Sequence, residues 1–379
     1  MKRIKSDKII VGEELFDGYV YFENGQITEV TTKDIECETF DFSGKYVSAG
    51  FIDIHTHGAG GYSFSNSSPE EVLNGCDFHF EHGMTSIVPT ISADDIENME
   101  KALKNVAIAK NSKKAKGNIL GAHLEGPYLS KSQAGAQCPK FITPPKKEDY
   151  KRLVDEYGDA IARWTYAPEL DDGEFCAYLS SHNVLVSIGH SDAKYQDVER
   201  AIENGATLVT HLYSCTSTVT REKGFRSLGV IESAFLRDEL FVEIIADGKH
   251  LPKELINMIF KIKGKDKVAV ITDSLAIAGT DIKEGEMSGT EFIVEDGVCK
   301  LKDRSAFAGS VATADKLILT LVNECGYSIP TAVKAYTEIP AKILGLNKGE
   351  IQKGKDADII VFDDNICVTD IFVGGIKKK

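Results

Sequence analysis

With 379 residues, 42% hydrophobic content and 27% charged residues, the chain can bury one large core and a small accessory one. Its formal net charge of -14 leaves little cationic surface, which argues against a nucleic-acid partner but leaves room for an anionic small molecule met by one local arginine. Eight scattered cysteines form no Cys-x-x-Cys pair and read as free thiols of a reducing compartment. No apolar run reaches signal or membrane-spanning length, so a cytoplasmic protein with no membrane partner is expected.

The chain opens with short β-rich runs, Ile9-Ile10-Val11, Gly18 to Phe22, Gln26 to Val30 and Lys45-Tyr46-Val47, with Asn24-Gly25 as a hairpin turn. About fifty residues of this kind make a marginal fold alone. The last thirty have the same texture: Ala357 to Phe362, then Ile366-Cys367-Val368 and Ile371-Phe372-Val373. Segments 1–49 and 347–379 are therefore expected to meet in one small β-sandwich that brackets a large domain over 50–346.

That domain starts with Gly50-Phe51-Ile52-Asp53-Ile54-His55-Thr56-His57-Gly58, an apolar strand ending in two histidines at i and i+2. In a strand this spacing points both imidazoles to one face, where they make half of a metal site. Alone, the pair serves equally well as a polar strand end. Seven further apolar runs follow, at Thr85–Val88, Ile119–Leu124, Ala162–Tyr166, Val184–Ile188, Thr207–Thr210, Val242–Ile245 and Val268–Ile271. Helix-like segments fall between them, among them Pro69–Glu81, Ile96–Ala109, Tyr195–Glu203 and Pro252–Phe260, with Pro69 and Glu70-Glu71 marking a helix start. Eight alternating units predict a parallel sheet and favour closure into a (β/α)₈ barrel over an open doubly wound sheet.

In a closed barrel all strand C-termini face one opening. After the first strand come His55 and His57, after the third Glu125, after the fifth His190, after the sixth His211, after the seventh Asp247 with His250, and after the eighth Asp273. Counting His123, six of the nine histidines lie in these segments. Glu125, His190 and His211 are the expected ligands of one divalent ion, Zn²⁺ or else Fe²⁺, Mn²⁺ or Co²⁺, with a position left for water. His55 and His57 can complete a second position, with Glu125 as the bridge; there is no obvious strand-end lysine to take that role. Asp273 is the expected proton acceptor and donor, and His250 the group that polarises the scissile carbonyl. A helix N-cap in Asp247 to Pro252 is the competing explanation for the last segment.

These elements, with His123-Leu124-Glu125-Gly126-Pro127, Gly189-His190-Ser191, Thr210-His211-Leu212-Tyr213, Ala246 to His250, Thr272-Asp273 and Ala308-Gly309-Ser310, resemble the amidohydrolase superfamily, and within it the N-acetylglucosamine-6-phosphate deacetylase family. The likeness runs to Pro340-Ala341, Gly345-Leu346, Gly354 and Ala357-Asp358. It implies hydrolysis of the acetamide of N-acetylglucosamine 6-phosphate, with metal on Glu125, His190 and His211, acid/base work by Asp273 and substrate contact by His250. It also implies a second ion at His55 and His57, and a homodimer in which Arg221 reaches the neighbouring phosphate site. The sugar-phosphate pocket departs from the pattern: Ser214-Cys215 replaces the usual Asn-Ala, and Gln137 stands where a histidine is typical. A different N-acetylhexosamine, such as N-acetylgalactosamine 6-phosphate, or another N-acyl or cyclic amide is the alternative substrate.

Overall fold

The computed structural model describes residues 1–287 and 290–379. Eight parallel strands form its centre: β1 (Phe51–Thr56), β2 (Met84–Ser92), β3 (Ala122–Glu125), β4 (Ile161–Tyr166), β5 (Leu185–Ile188), β6 (Ala206–Val209), β7 (Phe241–Ile245) and β8 (Val268–Ile271). They pair in chain order. All eight coincide with the apolar runs of the sequence. Such strands are buried on both faces, inward by the lumen and outward by helices, so they read as continuous rather than alternating hydrophobic stretches.

The outer helices are α1 (Pro69–Glu81), α2 (Ile96–Lys110), α3 (Lys147–Tyr157), α4 (Glu174–Ser181), α5 (Tyr195–Glu203), α6 (Val230–Leu236), α7 (Lys253–Lys263) and α8 (Ala314–Asn323). α1 shows how the sequence sets them. Ser68 caps it in a capping box with Glu71, Pro69 fits the first turn, and Val72, Cys76 and Phe80 recur on the buried face. α7 starts at Lys253, one residue later than expected, because Pro252 is its N-cap.

The seam between β8 and β1 is closed by side chains and by an inserted turn. Fully buried Asp53 accepts hydrogen bonds from Thr272 Oγ1 at 2.6 Å and Tyr336 Oη at 2.9 Å. Asp273 N donates to His55 O, while Ile52 N and Val270 N donate to the carbonyls of Tyr336 and Ala335. One turn thus satisfies donors on both edges that would otherwise be orphaned.

The two ends of the chain build a second sheet. Strand Lys2–Val11 pairs with Glu14–Glu23, with Glu38–Asp41 along its first half and with Tyr46–Ala49 along its second; Tyr46–Ala49 then pairs antiparallel with Ile359–Phe362. The sheet curls over its own core, so that Phe40, Phe42 and Phe22 all meet Phe372 edge-on. Lys348 Nζ and Asn118 Nδ2 both donate to Asp358 Oδ2, tying this sheet to the barrel.

A three-stranded antiparallel insertion, Glu284–Met287, Thr290–Glu295 and Val298–Leu301, follows β8. Its Phe292 and Cys299 are buried with Leu275, Ile277 and Ala308. The sequence reading passed over it, although Asp296-Gly297 between apolar runs is a hairpin signal. Among the described residues no helix is long and apolar enough to cross a membrane, and all eight cysteines are free.

Candidate metal and catalytic site

The strand ends converge. His55 lies in β1 and His57 one residue beyond it, past a register shift between Asp53 and Thr56 in the pairing with β2. Both imidazoles nevertheless reach Glu125 at the end of β3, with Nε2–oxygen distances of 3.4 Å for His55 and 3.1 Å for His57. His190 and His211, just after β5 and β6, approach Glu125 Oε1 at 3.2 and 3.0 Å, and their own Nε2 atoms are 3.2 Å apart. His190, His211 and Asp273 have φ of 49°, 28° and 47°. A left-handed backbone costs a non-glycine residue on the order of 1–3 kcal/mol, so the fold strains three strand ends to turn these side chains inward.

The remaining ring atoms are held from behind. His190 Nδ1 donates to Gln133 O at 2.8 Å, which leaves its Nε2 as the lone pair facing Glu125. His57 Nδ1 pairs with Ser92 Oγ at 3.0 Å. Trp164 Nε1 donates to Gly126 O at 2.8 Å and so fixes the turn that presents Glu125. His55, His57 and Glu125, and again Glu125, His190 and His211, bring their donor atoms within 4.8 Å of one another, all buried. His55 Nε2 is buried without a hydrogen-bond partner among the described residues. A lone pair that is neither solvated nor hydrogen-bonded, beside two carboxylates, suits a cation; the donor set fits a divalent ion on imidazole and carboxylate.

Asp273 Oδ1 stands 3.2 Å from His57 Nε2 and 3.4 Å from His55 Nε2. Burial works against its charge, but the rings of His55 and His57 outweigh it and hold the carboxyl at about 2. Glu125 is likewise kept well below the usual carboxylate range, burial being outweighed by His55 and His190. Burial disfavours charge on His55 too, yet Glu125 and Asp273 raise it to about 10. Without an ion, protons collect on the rings to balance two buried carboxylates, which is the charge a metal would bring.

His250 is set by Asp247, whose Oδ2 lies 2.8 Å from His250 Nδ1 while Oδ1 accepts the amides of Lys249 and His250. The segment does both things expected of it: Pro252 at its end is the N-cap of α7, while the Asp247 carboxylate is spent on orienting His250 and not on capping the helix. A cavity of about 290 Å³ opens above these groups, lined by His57, Glu125, His190, His211, His250 and Asp273. Gln137, Ser214 and Cys215 also line it, as does an apolar wall that includes Leu275, Phe292 and Phe307.

Gln137 does more than line the cavity. Its Oε1 accepts from Ala93 N at 2.9 Å, which fixes the amide so that Nε2 donates to Glu125 Oε2 at 2.7 Å. Arg221 does not line this cavity; it is exposed on the hairpin of strands Thr220–Glu222 and Phe225–Ser227, opposite Arg226, and Phe225 on the same hairpin is 80% exposed. Sequence reasoning missed Glu243 and Arg163, a fully buried ion pair under the ligands. Their signal was faint: one charged residue inside each of two apolar strands.

The profile of the amidohydrolase family matches residues 46–378. The chain is 31% identical over 368 residues to the N-acetylglucosamine-6-phosphate deacetylase of Haemophilus influenzae, covering 94% of this chain and 93% of that protein. It is 31% identical over 375 residues to the one of Bacillus subtilis, covering 94% and 92%. The solved N-acetylglucosamine-6-phosphate deacetylase of Pasteurella multocida superposes with a TM-score of 0.91 at 27% identity, covering 99% of each chain. A mutant of the Mycobacterium smegmatis enzyme in complex with N-acetyl-D-glucosamine-6-phosphate gives a TM-score of 0.91 at 26% identity, covering 100% of this chain and 99% of that one.

Proposed function

The chain belongs to the amidohydrolase family, and on that premise we propose that it hydrolyses the acetamide of N-acetylglucosamine 6-phosphate, releasing glucosamine 6-phosphate and acetate. The observation that carries this reading is the convergence of Glu125, His190, His211, His250 and Asp273 on one cavity. Support for the substrate comes from relatives that bear this activity in their names over nearly their whole length.

Glu125, His190 and His211 would hold a divalent ion, with Zn²⁺ the first choice for this donor set and Fe²⁺, Mn²⁺ or Co²⁺ compatible. His55 and His57 would complete a second position that shares Glu125. When bound, such an ion supplies acidification of a water and polarisation of the amide carbonyl. Asp273, ionised and facing the cavity, takes the proton of the attacking water and returns it to the nitrogen as the C–N bond breaks. His250, its Nδ1–H locked on Asp247, polarises the oxygen on which charge develops through Nε2, which donates when the ring is the imidazolium. Leu275 and Phe292, both buried, give this side of the cavity an apolar wall.

The phosphate would be met by Arg221 from a second copy of the chain. Its exposure on a hairpin that also carries exposed Phe225 supports this arrangement. Ser214 and Cys215 at the cavity wall favour one further reading, a different N-acetylhexosamine 6-phosphate such as the galactosamine isomer. Acetate release from a panel of N-acetylhexosamines, with and without 6-phosphate, tests both. Release from N-acetylglucosamine 6-phosphate with the highest kcat/KM is expected; no release from any phosphorylated N-acetylhexosamine overturns the assignment.

A further inference from the structure

We propose that Glu243, held by Arg163 across the barrel lumen, is a positioning residue that fixes His55 for a second divalent ion and joins the two halves of the ligand set. The proposal rests on the metal-dependent reading above.

Glu243 lies in β7 and Arg163 in β4, strands separated in the sheet by β5 and β6, so their contact crosses the interior. Both side chains are fully buried. A carboxylate in that setting must be paired, and Arg163 pairs with Glu243 Oε1. The same guanidinium donates to Ile54 O on β1 at 3.1 Å and to Thr210 Oγ1 beside β6 at 2.9 Å, which fixes it from three directions. The other carboxylate oxygen, Oε2, lies 3.4 Å from His55 Nδ1 and 3.4 Å from His211 N. One buried anion therefore faces a ligand of each candidate metal position.

The effect on His55 is specific. Its Nδ1 has Glu243 as its only polar side-chain partner among the described residues, and its Nε2 is the orphaned atom aimed at Glu125 and Asp273. His123, packed edge-on against His55 with ring centroids 4.5 Å apart, has both nitrogens engaged by Thr90 and Thr165 and cannot substitute. A carboxylate behind a histidine fixes the tautomer, orients the ring and raises the basicity of the outward nitrogen; its loss costs about 10- to 100-fold in metal affinity. His211 meets Glu243 only through its backbone amide, whereas in His55 the imidazole itself is faced, so the position on Glu125, His190 and His211 depends on Glu243 much less.

The test is Co²⁺ bound per chain, read by elemental analysis after dialysis against graded free Co²⁺, for the native protein, Glu243→Gln and Glu243→Asp. Two binding steps are expected in the native protein. Glu243→Gln should weaken the weaker step 10- to 100-fold and move the tighter step less than about threefold. Glu243→Asp, which keeps the charge but withdraws it by one methylene, should fall between the two and decides the matter if the Gln variant does not fold. A single step in the native protein, equal weakening of both steps, or two unmoved steps would overturn the proposal. Failure of the catalytic reading shows separately, as native protein that binds Co²⁺ tightly yet releases no acetate from any phosphorylated N-acetylhexosamine.

Discussion

Replacing Asp273 by Asn removes a proton acceptor while leaving nearly everything else in place. The residue sits at φ 47°, a conformation that Asn adopts with less strain than most side chains, so the substitution keeps the backbone of the β8 end intact. Alanine at that position would add backbone strain to the lost chemistry and blur the result. Positive charge beside it, on the imidazoles or on an ion they hold, favours the ionised carboxylate, so the native residue is able to accept the water proton. An amide cannot accept and return that proton. Losing general acid–base catalysis lowers kcat by about 10²- to 10⁴-fold, equivalent to about 3–5 kcal/mol of barrier. KM should change little, because Asp273 is one of many groups lining the cavity. The assay is steady-state acetate release beside elemental analysis of the same preparation. A kcat within threefold of native at equal metal content would refute the role given to Asp273.

Three further outcomes are expected. Arg163→Met leaves Glu243 charged in the lumen without its guanidinium and with only the 3.4 Å contacts to His55 and His211, and should cost about 3–5 kcal/mol in urea unfolding, part of which Arg163→Met with Glu243→Met restores; a single-variant loss below about 1 kcal/mol would show that those contacts suffice to hold the carboxylate. Burial holds His79 neutral with its pKa lowered to about 4, so the folded state binds fewer protons than the unfolded state between about pH 4 and 6.5. Stability should fall by about 3 kcal/mol as pH drops through that window, and the difference between native protein and His79→Gln isolates this term; identical pH slopes would contradict it. Arg221→Ala should erase an about 10- to 150-fold preference in kcat/KM for the phosphorylated over the plain sugar, as befits loss of one hydrogen bond to a charged group, and a preference that survives places phosphate recognition elsewhere.

Most of the barrel was legible because a strand buried on both faces must be apolar along its length, and the eight runs from Phe51–Ile54 to Val268–Ile271 carry that mark. The ligand candidates were legible for the complementary reason: His190, His211 and Asp273 interrupt apolar strands at their ends, where a polar side chain needs a purpose. Asp53 stood in plain view within the first motif, yet its work at the β8–β1 seam depends on Thr272 and Tyr336, far away in sequence. Glu243 and Arg163 were hidden for the same reason, since only closure of the barrel shows that two lone charges face each other. The work of Gln137 was hidden too, because Ala93 fixes its amide and turns it onto Glu125 only once the loops meet.

The terminal sheet has a consequence for biosynthesis. Strand Tyr46–Ala49 acquires its antiparallel neighbour only when Ile359–Phe362 emerges, after the entire barrel has been translated. At about 5–20 residues per second, that interval is on the order of 15–60 s. Throughout it the amino-terminal strands hold Val47, Val20 and Phe22 without the Ile359, Val361 and Phe372 that later share their core. The open edge of Tyr46–Ala49 is a template for pairing with another nascent chain on the same polysome. Slowed elongation late in the message should therefore lower the soluble yield more than an equal pause before residue 46. Supplying 347–379 as a separate peptide during translation should protect the released amino-terminal fragment from self-association.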